Sequence, residues 1–258
     1  MTRTFDFTRA ILRRPGTSVV KGLRANGGAD PTFAGVCQEH AAYAAALADA
    51  GLALTILEPL EQFPDALFVE DPALVFPEAA ILLNPGAPSR AGEGALLRPA
   101  LAARFATVLE LPQGHADGGD VLVLPDRILI GLSKRTDRVG ANALVGLLAG
   151  LGRRAEVVET PPGVLHQKTA SSLIDEETVL ASAALAATGV FGRLRVLEVP
   201  HGEEAGANVL RVNDTLIVGA GFPRLRELLD GYGATVVPLQ NTQIARIDAG
   251  FTCMSLRW

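Results

Sequence analysis

Cysteine is scarce in this chain: Cys37 and Cys253 are its two thiols in 258 residues. That is no disulfide framework, and a reducing compartment, the cytoplasm by default, is the expectation. Cys37 falls in a helical pattern and reads as a small core or interface residue. No basic tract occurs and the formal net charge is −5, which argues against a nucleic-acid partner. No run of roughly 18 apolar residues exists, so no transmembrane helix is expected. The first residues, Met1-Thr2-Arg3-Thr4-Phe5-Asp6, lack the apolar stretch of a signal peptide. No glycine-rich loop has a recognised phosphate-binding spacing. Asp117-Gly118-Gly119-Asp120 offers too few carboxylates for a calcium or magnesium loop, so neither metal nor cofactor is expected. Low-complexity segments and interdomain linkers are missing too. What is present is 48% hydrophobic and 20% charged, a globular composition long enough for a well-buried core.

The chain repeats itself. Residues 209–212 read as a strand, Asn213-Asp214 as its turn and 215–218 as the second strand of a hairpin. A helical stretch from Arg224 to Leu229 follows, then a strand over 234–239. The same strand–strand–helix–strand order is predicted from 121–124, 128–132, 142–151 and 155–159, and from 73–76, 80–83, 92–104 and 106–111. A fourth copy has strands at 170–174, 179–182 and 194–199 with a short or irregular helix. The fifth is split: its first strand lies at 254–257, its second at 5–12, its helix at 39–50 and its third strand at 52–57. A unit joined from both ends closes a ring and removes an exposed sheet edge. The expectation is a single α/β domain spanning 1–258, a five-fold pseudosymmetric α/β propeller of ββαβ units. The competing architecture, an open doubly wound sheet, fits less well because each helix follows a hairpin. Residues 22–31 are glycine-rich and aperiodic, which fits a surface loop or an active-site lid.

Chemistry-bearing residues recur just ahead of the first strands: Asp71, Asp117 and Asp120, His166, Asn208 and Cys253. A ring would bring carboxylates, a histidine and a cysteine to one centre, the toolkit of a cysteine-nucleophile enzyme acting on a cation.

Six segments carry a more specific likeness: residues 63–72, with Asp65, Glu70 and Asp71 beside aromatics; Asn84-Pro85-Gly86-Ala87-Pro88-Ser89-Arg90; Asp117-Gly118-Gly119-Asp120; residues 130–136; Leu165-His166-Gln167-Lys168; and the stretch around Cys253. Together and in this order they resemble the dimethylarginine dimethylaminohydrolases, of the guanidine-modifying superfamily with arginine deiminases and amidinotransferases. The likeness covers nearly the whole chain. It implies a pentein-type propeller and hydrolysis of Nω-methylated arginines to citrulline and an alkylamine. Cys253 would be the nucleophile, since a guanidinium carbon, its charge shared by three nitrogens, yields best to a thiolate. His166 would protonate the leaving amine and then activate water. Asp117 would complete the catalytic set, in place of the Glu some relatives carry. The resemblance puts Asp71 on the guanidinium, with Glu70 counted as substrate-binding beside it. It puts Asp65 and the Leu23 carbonyl on the α-ammonium, Arg90 and Arg135 on the α-carboxylate, and the Ile247 backbone near the guanidine end. The partner implied is a small guanidino amino acid. A relative acting on arginine, another guanidine or citrulline, and a catalytically silent amino-acid-binding protein, are the alternatives. The sequence leaves the oligomeric state open, a homodimer included.

Overall fold

The structure, a computed structural model, describes residues 3–24 and 28–258. Five three-stranded sheets form in it, one per repeat. The first joins the two ends of the chain: β1 (Arg9–Arg13) lies between β2 (Ala53–Leu57) and β15 (Leu256–Arg257). The second holds β3 (Ala73–Phe76), β4 (Ala79–Leu82) and β5 (Val108–Glu110). The third holds β6 (Val121–Val123), β7 (Ile128–Leu132) and β8 (Ala155–Glu159). The fourth holds β9 (Ser171–Leu173), β10 (Thr178–Ala181) and β11 (Arg195–Glu198), and the fifth β12 (Leu210–Val212), β13 (Thr215–Gly219) and β14 (Thr235–Leu239).

In every sheet the middle strand runs antiparallel to the inner one and parallel to the outer one. A tight hairpin can only return the chain antiparallel, whereas a helical crossover brings it back parallel. Inner strands meet across the centre, β15 beside β3 and β9 beside both β6 and β12. Burial follows from that layering. Middle strands such as Ala79–Leu82 are buried at every position, so they are continuously apolar, while outer strands such as β2 and β14 are partly exposed. This is the five-bladed α/β propeller expected.

The ring is closed by pairing Ala10 with Arg257 and Ile11 with Leu256, and by the Trp258 ring against Phe105 at 4.9 Å. Helix α1 (Phe33–Asp49) starts six residues earlier than its periodicity suggests, because Thr32 caps it by accepting from the Gly35 N–H at 3.1 Å. The second blade has no single helix. A 3-10 turn at Gly94–Leu96 leads into the short α2 (Arg98–Ala102), with Pro99 in its first turn and Gly92 at φ +84 before it. Helix α3 (Arg138–Gly150) is capped by Asp137 through Gly140 N–H at 2.7 Å. The blades that follow carry α4 (Ala183–Ala186) and α5 (Pro223–Leu229). Residues 25–27 of the expected loop over 22–31 lie outside the described residues.

Candidate active site

The five turns that lead into the inner strands are hydrogen-bonded in a closed circle. Glu70 N–H donates to the Cys253 carbonyl at 3.1 Å, and Gly118 N–H to the Asp71 carbonyl at 2.9 Å. Gln167 N–H donates to Asp120 Oδ1 at 3.0 Å. Asn208 then gives its amide to the Lys168 carbonyl and to Thr252 Oγ1, both at 2.9 Å, and accepts from Thr252 N–H at 3.1 Å. Each blade thus fixes the start of the next, and the series of residues met in the sequence becomes one rigid rim.

Glycine makes the rim tight enough. A Cβ on Gly118 would stand 2.0 Å from the Glu70 carbonyl, and one on Gly119 would stand 2.8 Å from His166 Nδ1 and 3.0 Å from Asp71 Oδ1. The imidazole therefore rests on bare backbone. Its Nε2 meets Asp117 Oδ2 at 3.2 Å, while Asp117 Oδ1 accepts from Gly86 N–H at 2.8 Å. Asp117 is wholly buried. Burial disfavours the His166 imidazolium, but the hydrogen bond to Asp117 and the charges of Asp120 and Asp71 outweigh it and raise the group to about 9. At neutral pH it is a proton donor.

Asp71 accepts from Gly119 N–H at 3.2 Å and is paired with Arg90. Against the cost of its burial, Arg90, His166 and Lys168 hold its carboxyl below the usual range. Asp65 accepts from Leu23 N–H at 2.9 Å, and burial pushes its carboxyl up, with Arg90 opposing. Cys253 sits in a 3-10 turn, Thr252–Met254. Under that turn Tyr43 is fully buried, its ring 6.1 Å from Phe251 and its hydroxyl 2.6 Å from Ser255 Oγ. The thiol is pushed up to about 12 by burial, then by Asp71 and Glu70; a backbone hydrogen bond from Gly250 and the Lys168 charge pull the other way. The net push keeps the proton on the Cys253 sulfur.

Eight of the ten expected residues, Leu23, Asp65, Asp71, Arg90, Arg135, His166, Ile247 and Cys253, line one narrow cleft of ≈ 30 Å³. Asp117 stands behind His166. Glu70 is the exception. Its carboxylate binds Lys168 Nζ at 2.7 Å and Arg257 Nη2 at 2.9 Å, and it borders a separate cavity of ≈ 560 Å³ that Cys253 and His166 do not reach. Neighbouring side chains diverge at this turn, so Asp71 enters the cleft and Glu70 backs it.

Arg90 also differs from expectation. It gives Nε–H and one Nη2–H to Glu93, both at 2.7 Å, the other Nη2–H to the Phe68 carbonyl at 2.9 Å, and an Nη1–H to Asp71. One N–H of five is left for a ligand. Arg135 is half-buried at the cleft and, among the described residues, has no ion-pair partner. Sequence reasoning passed over Glu93, whose one signal is its place three residues after Arg90. Lys168, in the same segment as His166, has its ammonium on Glu70 behind the cleft. Ligand atoms of Asp71, Asp117 and His166 lie within 4.8 Å of one another, close enough for a metal ion. Such an ion would have to displace both Arg90 from Asp71 and the proton that His166 shares with Asp117.

The fold and rim define a propeller of the guanidine-modifying kind. A sequence model of the family described as Arginine deiminase matches residues 61–205. The chain is 34% identical over 254 residues to the N(G),N(G)-dimethylarginine dimethylaminohydrolase of Pseudomonas aeruginosa, covering 98% of this chain and 100% of that one. It is 32% identical to the Streptomyces coelicolor protein of the same name, over 96% of each chain. It superposes on a cysteine-to-serine variant of the Pseudomonas aeruginosa enzyme complexed with citrulline with a TM-score of 0.95, at 33% identity over 98% of this chain and 100% of that one. The chain belongs to the dimethylarginine dimethylaminohydrolase family.

Proposed function

We propose that this chain hydrolyses Nω-methylated arginines to citrulline and an alkylamine. The observation that carries the reading is the convergence of Cys253, His166 and Asp71 on one cleft, in a chain matching named dimethylarginine dimethylaminohydrolases from end to end. The substrate guanidinium takes its place against Asp71. Its positive charge offsets the carboxylates that hold the Cys253 proton on, so the thiol releases that proton to solvent and the thiolate forms beside the carbon it must attack. Sulfur adds to that carbon. His166, held protonated by Asp117, gives its proton to the departing alkylamine, leaving an S-alkylthiouronium on Cys253. The now neutral imidazole takes a proton from water as the oxygen adds; the carbon–sulfur bond then breaks, the added hydroxyl's proton passes to sulfur, and citrulline leaves with the thiol restored.

Binding follows the same polarity. Asp65 and the Leu23 carbonyl receive the α-ammonium, and Ile247 offers backbone near the guanidine end. Arg135 takes the α-carboxylate, with Arg90 adding its remaining N–H while it holds Asp71 in place. Glu70 supports the Cys253 turn from behind. One ring makes a single catalytic domain in this reading. We place the protein in the cytoplasm because both cysteines are free. No helix of the described residues is long and apolar enough to cross a membrane. Association as a homodimer is to be read by sedimentation.

The test is citrulline and amine release from asymmetric dimethylarginine, monomethylarginine, arginine and citrulline, side by side. Methylarginines should turn over fastest. Cys253→Ser should bind substrate without turnover, and quenched wild-type enzyme should carry an adduct on Cys253 by mass spectrometry. Preferential turnover of arginine would move the reading to a deiminase, and near-normal activity in the serine variant would remove the covalent mechanism.

A further inference from the structure

The chemistry above uses the first aspartate of Asp117-Gly118-Gly119-Asp120 and leaves the second without a task. Asp120 is wholly buried, and it accepts from the N–H of Gln167, the residue after His166. Such a carboxylate is costly unless its oxygens are satisfied. Its Oδ2 accepts from Ser133 Oγ at 2.6 Å and from Thr136 Oγ1 at 2.7 Å, and its Oδ1 from Gln167 N–H at 3.0 Å. The two hydroxyls are themselves acceptors. Thr136 Oγ1 receives the Asp117 N–H at 3.1 Å, and Ser133 Oγ receives the N–H groups of Arg135 at 3.0 Å and Thr136 at 3.2 Å.

We propose that Asp120 is a positioning residue that sets Asp117, the His166 turn and the Arg135 loop in register with one another. The proposal rests on the hydrolase reading for the meaning of that register. Every proton in the network points toward Asp120: from Asp117 through Thr136, from Arg135 through Ser133, and directly from the residue after His166. A group at the end of three donor chains must be a pure acceptor, which an ionised carboxylate is and an amide is not. Asparagine would fit the space, but turned either way its NH₂ would face a donor, the two hydroxyls or the Gln167 N–H. One chain would have to reverse or break, and its backbone segment would move. The span is what makes Asp120 more than a local brace, because it joins the group that holds the imidazole, the imidazole's own turn and the cation assigned to the α-carboxylate. A misplacement of about 1 Å in such a set costs roughly a hundredfold in rate.

The test compares Asp120→Asn, Thr136→Val and Ser133→Ala with wild type on monomethylarginine. Thr136→Val frees Asp117 and should act mainly on kcat, about tenfold. Ser133→Ala loosens the Arg135 loop and should act mainly on KM, several-fold. Asp120→Asn should do both, with kcat down at least tenfold. The second readout is the His166 ring titration by NMR in enzyme without substrate. The groups facing that ring are Asp71 from the turn before β3, Asp117 and Asp120 from the turn before β6, and the Cys253 thiol across the cleft. Removing one of the three carboxylates should shift the titration to lower pH, and Thr136→Val, which keeps every charge, should shift it too because Asp117 then moves from the imidazole. If Asp120→Asn does not fold, the kcat-against-KM split between the Thr136 and Ser133 variants carries the test. Uniform small losses in all variants with an unshifted His166 titration would overturn the positioning role. A wild type inert toward methylarginines would overturn the hydrolase reading instead, and the shift in the His166 titration would still decide whether Asp120 acts on the imidazole.

Discussion

Cys253 in the free enzyme should be among the least reactive of thiols toward a neutral reagent and become reactive when a cation arrives. The thiol is raised to about 12 from an ordinary 9.0. At pH 7 the thiolate fraction is then about one in 10⁵ rather than about one in 10², a handicap of about a thousandfold. Burial is the first cause and cannot be titrated away, but Asp71 and Glu70 are the next, and Asp71 stands where the guanidinium is assigned. Alkylation should be followed with iodoacetamide, which is neutral, and with chloroacetamidine, which is a cation shaped like the substrate head. The iodoacetamide rate should still be climbing at about pH 10. The cation's advantage over iodoacetamide, corrected by the ratio measured on a free thiol, should reach on the order of 10²–10³ near neutrality. Asp71→Asn should shrink that advantage from both sides, by easing thiol ionisation in the free enzyme and by removing the cation's seat. An iodoacetamide rate that levels off below about pH 8 would mean a preformed thiolate–imidazolium pair, and the account of substrate charge as the trigger would be wrong.

Arg135→Ala should raise KM for methylarginine far more than for an alkylguanidine without a carboxylate, by about 2–3 kcal/mol of lost charge-assisted bonding; equal losses for the two would make Arg135 structural. Gly119→Ala drives a methyl into His166 at 2.8 Å and should lower kcat at least tenfold, whereas Gly146→Ala in α3, with open space around it, should leave kcat alone and add about 0.5–1 kcal/mol of stability in urea melts. His40 is buried and lowered from 6.5 to about 4 by burial, against a hydrogen bond to the Arg13 backbone. Its folded value lies below its unfolded one, so it contributes stability above the unfolded value that drains away as pH falls from about 6.5 toward about 4, about 3 kcal/mol at most; His40→Gln should flatten that acid limb, and an unchanged limb would place the acid sensitivity elsewhere.

The five blades were legible because one order recurs, two apolar strands, a helix and a third strand, joined by a short turn in four of them and split across the ends of the chain in the fifth. Hairpins such as 128–132 against 121–123 and the third strand at 155–159 fall where the pattern puts them. Helix starts were less legible. Gly35 near the start of α1 weakens its helical signal, and the cap that rescues it, Thr32, works through one hydrogen bond that periodicity does not register. The second blade's helix is broken by backbone geometry at Gly92 and Pro99, which a window average smooths over. The 3-10 turns carrying Asp120, Gln167 and Thr252 are three residues long, too short to leave any periodic trace.

Site residues were legible to the degree that position alone decides their role. Asp71, Asp117, His166 and Cys253 occupy equivalent places in the repeat, so closing the ring is enough to gather them. Arg90 and Glu70 depend instead on which way a side chain turns, and that is decided by partners elsewhere in the chain. Arg90 is drawn inward because Glu93, three residues on, offers a carboxylate matched to its fork, and the 3-10 turn at Pro88–Arg90 places both in the interior. Read along the chain, an Arg and a Glu three apart look like a solvated surface pair. Glu70 is drawn away from the cleft by Lys168 and Arg257, one nearly a hundred residues away and the other near the end of the chain. A repeat reports where each blade's functional turn begins. It does not report that one of two adjacent acids will face the substrate and the other will brace the turn that holds the nucleophile; that choice belongs to the closed ring, where cations from two other blades reach the same carboxylate.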